Sequence, residues 1–300
     1  MNKTIKQVST VIAVLGRLFV VSCNSQHADK ADSMGLNADS AAAGAEKLMQ
    51  VDKVTFSIPS PIQVALMIEQ SGGHYQRNLL HSTTKTASYS SKFDKAFNLG
   101  VFGADMGYCS IYDQSQDALG YLNASKHLAD DLGIGGGFDA SRFERYKHSL
   151  GKRDSMLSLI SQSYRQADGF LKENQRSDIS SIILAGGWLE SLHFMTSLAM
   201  QGQQTMLLER IGQQKTTLDN LIKLLMPLTE QAETAALINS LMEIAQPFND
   251  VEMSYVFKES SHDTLNKITT INSESSFVIS PEQLKQIAAA VEKARNTLLK

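Results

Sequence analysis

Proline is scarce, with five in 300 residues. Many short strands joined by tight turns would use more, so the composition favours long helices. Cysteine is scarcer still. Cys23 and Cys109 are the only two, which excludes a disulfide framework and any Cys-x-x-Cys metal or redox motif. Tryptophan occurs once, at Trp188. No run of Lys or Arg exceeds two residues, and the net charge is −3. Nucleic-acid binding needs a clustered basic surface and has no support here. His-Glu-x-x-His and Gly-x-Ser-x-Gly are absent. Nothing calls for a cofactor, and nothing gives a positive reason to expect catalysis; an enzyme without a linear signature stays open.

What is present starts at the N-terminus. Lys3 and Lys6 supply a positive start, and Val11 to Val21 is mostly apolar, broken by Arg17. The run is too short for an ordinary spanning helix. It ends in Val20-Val21-Ser22-Cys23, a small residue just before cysteine. This pattern resembles a bacterial lipoprotein signal. The resemblance implies cleavage before Cys23, lipidation of that thiol with acyl chains such as palmitate, and an exported protein. Such a protein is held in the cell envelope, at the outer membrane facing the periplasm. Each buried methylene contributes about 0.8 kcal/mol, so several chains hold firmly. The other reading is an uncleaved amphipathic N-terminus. With Cys23 lipidated, Cys109 is left alone. It lies in an apolar stretch and reads as a small core residue.

The expected organisation is a signal peptide over 1–22, a lipidated Cys23 with a flexible tether to residue 50, and one all-α domain over 51–300. The tether is rich in Ala, Ser, Asp and Asn. Ala41 to Met49 has the composition of a short helix, and Val54 to Ile58 is extended in character. Ser60-Pro61-Ile62-Gln63 and Ser280-Pro281-Glu282-Gln283 are helix starts, with Ser as N-cap, Pro at the first helical position and Gln three residues after the cap. One-sided stripes follow helical spacing, as in Leu284, Ile287, Val291, Ala294 and Leu298. Residues 92–113 and 178–201 are apolar nearly all round and should be the two central, buried helices of a multi-helix bundle or irregular helical array. Gly133 to Ser141 has the wrong spacing for a phosphate loop and reads as a helix C-cap and turn. Residues 258–279 are Ser/Thr/Asn-rich and should be irregular, with a short extended piece at Phe277–Ile279.

Two glycines, Gly186 and Gly187, sit inside the second central helix, where glycine costs about 1 kcal/mol relative to alanine. Gly187 and Ser191 share one face of it. Gly100, Gly103 and Gly107 share one face of the other. Facing stripes of small residues would let the two axes approach closer than the usual ~8–10 Å, with Trp188 covering the crossing from the side.

Asp105, Glu190 and His193 fall on these same apolar helices. Buried charges are rare unless paired. One reading is an internal hydrogen-bonded pair or a helix edge facing solvent. The other is a polar cavity binding a small molecule or metal, lined by Asp105, Tyr112, Trp188, Glu190 and His193. Glu190-x-x-His193 and Glu259-x-x-His262 are two Glu-x-x-His pairs, and Glu69, Glu209 and Glu243 are lone glutamates. Two such pairs on separate helices with two lone glutamates are what a ferritin-like di-metal bundle requires. His74, His81, His127 and His148 read as surface residues.

Residues 107–133 read as helix, tight turn, helix. Ala118, Tyr121, Leu122, Ser125 and Leu128 resemble the second helix of a tetratricopeptide hairpin, with no 34-residue echo elsewhere. That resemblance implies a helical surface for a protein partner. With its lipidation signal, polar tether and Ser-Pro-Ile-Gln helix start, the chain resembles helical lipoproteins of Bacteroides-type bacteria. Export and anchoring follow from the resemblance, and no activity does. The expected function is a non-catalytic, membrane-anchored scaffold or partner-binding protein.

Overall fold

The computed structural model describes residues 47–51, 54–58, 61–135, 140–149, 151–202, 205–263, 268–270 and 272–299. The signal segment, Cys23 and the tether up to residue 46 lie outside them. The last tether positions do not form the expected short helix. Lys47–Val51 (β1) pairs antiparallel with Val54–Ile58 (β2), the segment whose extended character was legible.

The rest is mostly helical. Nine α-helices fall among the described residues: α1 (Pro61–Gln70), α2 (Lys92–Ile111), α3 (Ser115–Asp131), α4 (Ala140–Ser149), α5 (Arg153–Glu173), α6 (Ser177–Gly202), α7 (Thr205–Leu225), α8 (Ala232–Phe248) and α9 (Pro281–Leu298). The fold is all-α with small two-stranded sheets. Helix ends follow from local chemistry. Ser91 caps α2 by accepting from the Asp94 N–H, 2.9 Å. Ser280 and Gln283 form a reciprocal capping box at α9. Gly133 ends α3 at φ 70°, with its N–H on the Asp130 carbonyl and that of Ile134 on Ala129. These two bonds satisfy carbonyls the helix end would leave bare.

The two helices that are apolar all round, α2 and α6, pack on each other more extensively than any other pair. Both are buried on nearly every face. By length and composition α6 could cross a membrane, but 89% of that window is buried inside the domain, as in a core helix. Their crossing is built on glycine. A Cβ on Gly100 would lie 1.9 Å from the Ile183 carbonyl oxygen, and one on Gly186 would lie 2.1 Å from that of Phe97. Backbone meets backbone, and no side chain fits between. The touching set differs in part from the expected stripes. Gly107 faces Ile62 of α1 at an ordinary 3.6 Å, and Ser191 bonds back to its own helix at the Gly187 carbonyl. Trp188 is tied to a third helix. Its indole N–H donates to Gln214 Oε1 on α7, 2.9 Å.

Around this pair, α1, α3 and α5 pack on α2, and α7 and α9 pack on α6, with α8 against α7 and α9.

The stretch expected to be irregular, 258–279, belongs to an antiparallel β-arm that starts at Glu252, and the extended piece expected at Phe277–Ile279 falls in part on its last strand. Glu252–Val256 (β3) pairs with Glu274–Val278 (β6), and beyond them Ser261–Asp263 (β4) pairs with Ile268–Thr270 (β5). The two pairings are nested, with β4 and β5 lying between β3 and β6 in the chain. The root of the arm is fixed to α7. Phe277 sits where a Gly212 Cβ would be, 2.2 Å from the Phe277 Cβ. Its N–H donates to Glu209 Oε2, 2.9 Å, while Lys215 Nζ donates to the carbonyls of Asn249 and Val251, each 3.0 Å.

Candidate functional site

Glu190 and His193 are one helical turn apart on α6, and α2 brings Asp105 beside them. All three are buried, at 0%, 6% and 0% exposure respectively. A fourth group joins them from the C-terminal helix. Arg295 of α9 donates to both oxygens of Glu190, from Nε and Nη2 at 2.8 Å each, and Nη2 also reaches the Leu79 carbonyl at 3.2 Å. This two-pronged pair is the strong form of the arginine–carboxylate bond. The segment before α2 adds His81. Its backbone N–H donates to Asp105 Oδ1 over a long 3.4 Å, and its ring Nε2 bonds the Tyr89 hydroxyl at 3.0 Å. The Tyr121 hydroxyl donates to the His81 carbonyl at 2.6 Å.

The protonation states follow from this geometry. Burial raises the Asp105 carboxyl well above its usual range, and the neighbouring Glu190 charge raises it further. Burial also raises Glu190, against the pull of Arg295. The arrangement that satisfies the atoms puts the proton on Asp105. Its Oδ2 has no donor within reach. As a neutral acid it becomes a donor itself, toward the Glu190 carboxylate that Arg295 holds ionised. Burial, then the Arg295 charge, lower His193 to about 3 and His81 to about 4. Both imidazoles are therefore neutral at pH 7. A neutral acid, one carboxylate, one guanidinium and two neutral imidazoles carry no net charge. A dry interior tolerates that arrangement.

Three of the five residues read from the sequence thus meet. The other two do not. Tyr112 lies about two turns beyond Asp105, at the C-terminal end of α2, its ring tilted against Tyr75 and edge-on to Tyr108, and its hydroxyl donates to the Gly73 carbonyl. Trp188 faces α7. Arg295 and His81 escaped the sequence reading, and His81 is half-buried rather than a surface residue. One signal pointed to Arg295: it lies four residues after Val291 and three before Leu298, at the border of the α9 apolar stripe.

The di-metal arrangement is not formed. Glu259 follows β3 in an exposed connecting segment, and His262 lies on β4 with Nδ1 on Thr269 Oγ1, 3.0 Å. They do not share a helix face. The Arg295 guanidinium occupies both Glu190 oxygens, where a metal ion would bind. Glu69 pairs with Arg153, Glu209 takes the Phe277 N–H, and Glu243 pairs with Lys293 at 2.6 Å. Among the described residues, no three His, Cys, Asp or Glu side chains converge to hold a metal. Cys109 is fully buried, with burial pushing its thiol up to about 12, so it is no nucleophile.

Two surface features remain. An open groove of about 540 Å³ lies between α8 and α9, lined in part by Glu243, Pro247, Gln286 and Lys293. The other is the β-arm. Met253, Tyr255, Val256, Phe257, Ile268 and Val278 are each more than half exposed, Phe257 at 72%. Single exposed apolar side chains are ordinary, but six on one short ribbon are not. No family model matches the chain, and no curated protein or solved structure matches it significantly.

Proposed function

We propose that this chain is an exported, lipid-anchored protein of the cell envelope, whose helical domain binds a protein partner through the β-arm and catalyses nothing. The apolar side chains exposed along the arm carry this reading. Two strands alone are marginal in water, and burial of these side chains against a partner would stabilise them. The Val20-Val21-Ser22-Cys23 pattern supports anchoring through Cys23, at the outer membrane facing the periplasm. The internal pairing of Asp105 with Glu190 and of Glu190 with Arg295, with His193 Nδ1 3.4 Å from Glu292 Oε2, favours a structural role for these groups over ligand binding.

The test is cross-linking in isolated membranes, with fractionation. Wild type should stay with the membrane and give a discrete higher-mass species. Cys23→Ser should move to the soluble fraction. Tyr255→Ser with Phe257→Ser should stay anchored, unfold at the wild-type temperature and lose the higher-mass species. Cross-linked species unchanged by the arm substitutions would overturn the reading.

A further inference from the structure

Among the described residues, the arm has one covered edge and one open edge. The Phe277 N–H is bound by Glu209, so it does not bond across to its β3 partner. Met253↔Phe277 is therefore a non-hydrogen-bonded pair of the ladder. In such a pair both residues turn their main-chain groups away from each other. The β6 edge turns to α7. On β3 the main-chain groups of Met253 and Tyr255 turn outward. The next even-numbered residue, Lys258, keeps its main chain turned inward, with its N–H on Ser273 Oγ at 3.1 Å and its carbonyl accepting from the same hydroxyl at 3.2 Å. The alternation thus carries through Phe257. β3 is exposed along its whole length, and an unpaired strand edge is a template for another strand.

We infer that the occupant of this edge is a second copy of the chain, paired β3 to β3 in antiparallel register about a two-fold axis at Tyr255. This rests on the arm being the binding surface. The sequence Glu252-Met-Ser-Tyr-Val-Phe-Lys258 is complementary to itself when reversed. With Tyr255 opposite Tyr255, Met253 falls opposite Phe257 on both sides of the axis, and Ser254 opposite Val256. Glu252 falls opposite Lys258, also twice, so each end joins unlike charges. The outward main-chain groups of 253, 255 and 257 become the hydrogen-bonded pairs of the new ladder, as this register requires. Two marginal two-stranded ribbons become one four-stranded sheet. A one-residue slip would put Tyr255 opposite Val256 and lose both charge pairs. The β6 edge is held to α7, so two-fold pairing through β3 uses up the β3 edge of both copies and joins two chains.

The test is sedimentation of the full-length chain in detergent, with every variant in the same detergent. Wild type should be a dimer at micromolar concentration. Tyr255→Pro removes an outward N–H and should be a monomer with an unchanged unfolding temperature. Glu252→Lys and Lys258→Glu should each weaken the dimer roughly tenfold by setting like charges opposite, and the double variant should restore it. That reciprocal rescue is specific to this register. A monomeric wild type, a dimer indifferent to Tyr255→Pro, or no restoration in the double variant would each overturn the self-pairing. A monomeric wild type would leave the arm as a site for a different protein, which the membrane cross-linking decides on its own.

Discussion

Replacing Gly100 or Gly186 with alanine tests whether the two central helices are held by direct backbone contact. Two effects oppose each other. Alanine inside a helix is favoured over glycine by about 1 kcal/mol. The added Cβ, however, would stand 1.9 Å from the Ile183 oxygen for Gly100 and 2.1 Å from the Phe97 oxygen for Gly186. Neither atom can rotate away, since each is a main-chain carbonyl. Ordinary contact starts near 3.4 Å, so the helices must separate by roughly 1.5 Å along their most extensive interface. Overpacking costs about 1–3 kcal/mol and occasionally more, and a clash with rigid backbone belongs at the upper end. Net destabilisation of about 2 kcal/mol should lower Tm by roughly 4–8 °C for a domain of this size. Gly120→Ala and Gly169→Ala are the controls. Both residues lie within helices and have nothing within 4 Å of a new Cβ. They should gain up to about 1 kcal/mol and raise Tm. If Gly100→Ala or Gly186→Ala raised Tm as the controls do, the close-crossing argument would be refuted.

The buried cluster makes its own predictions. Glu190→Gln strands the Arg295 guanidinium and should cost about 3–5 kcal/mol in urea unfolding, whereas Glu190→Leu with Arg295→Met should recover most of it. The histidines act through pH. His193 and His81 titrate near 3 and 4 when folded but near 6.5 when unfolded. The unfolded chain then takes up protons first, so stability is full above pH 6.5 and falls as the pH drops from there toward 3. His193→Gln should flatten that slope in denaturant titrations at stepped pH. Asp105 has the opposite sign: its raised folded value gives a contribution present at low pH and lost as pH rises above the ordinary carboxyl range. Asp105→Asn, which keeps a donor toward Glu190, should therefore be more stable than wild type at pH 8 and no more stable at pH 4. Gly212→Ala should push Phe277 off α7 and speed amide hydrogen exchange across Glu252–Val278 while leaving the α2–α6 pair protected.

The helices that could be read from the sequence are those whose side chains face water on no side or on one side only. Residues 92–113 and 178–201 lack polar stripes, and both became core helices within a residue or two of those bounds. The Ser280 capping box is local chemistry and is legible locally. Asp105, Glu190 and His193 stood out because charge within an apolar helix demands a partner. The partner, Arg295, lies 105 residues from Glu190 in the chain, and no local pattern can supply that distance. His81 looked like a surface residue because its own segment is polar, and only the fold turns it toward Asp105. The β-arm was hidden for a different reason. Period-two patterning arises when one face of a strand is buried, and both faces of this ribbon meet solvent over most of its length. Ser, Thr and Asn are therefore frequent over residues 258–279, and that stretch reads as irregular.

The most direct test of the account is site-specific photo-cross-linking in intact cells, with the photoreactive residue at Tyr255 and, separately, at Met226. Met226 is an apolar residue of similar exposure elsewhere on the domain. A discrete adduct from Tyr255 and none from Met226 is the predicted result, with twice the chain mass if the partner is a second copy. No adduct from Tyr255, or equal adducts from both positions, would contradict the arm as the working surface of this protein.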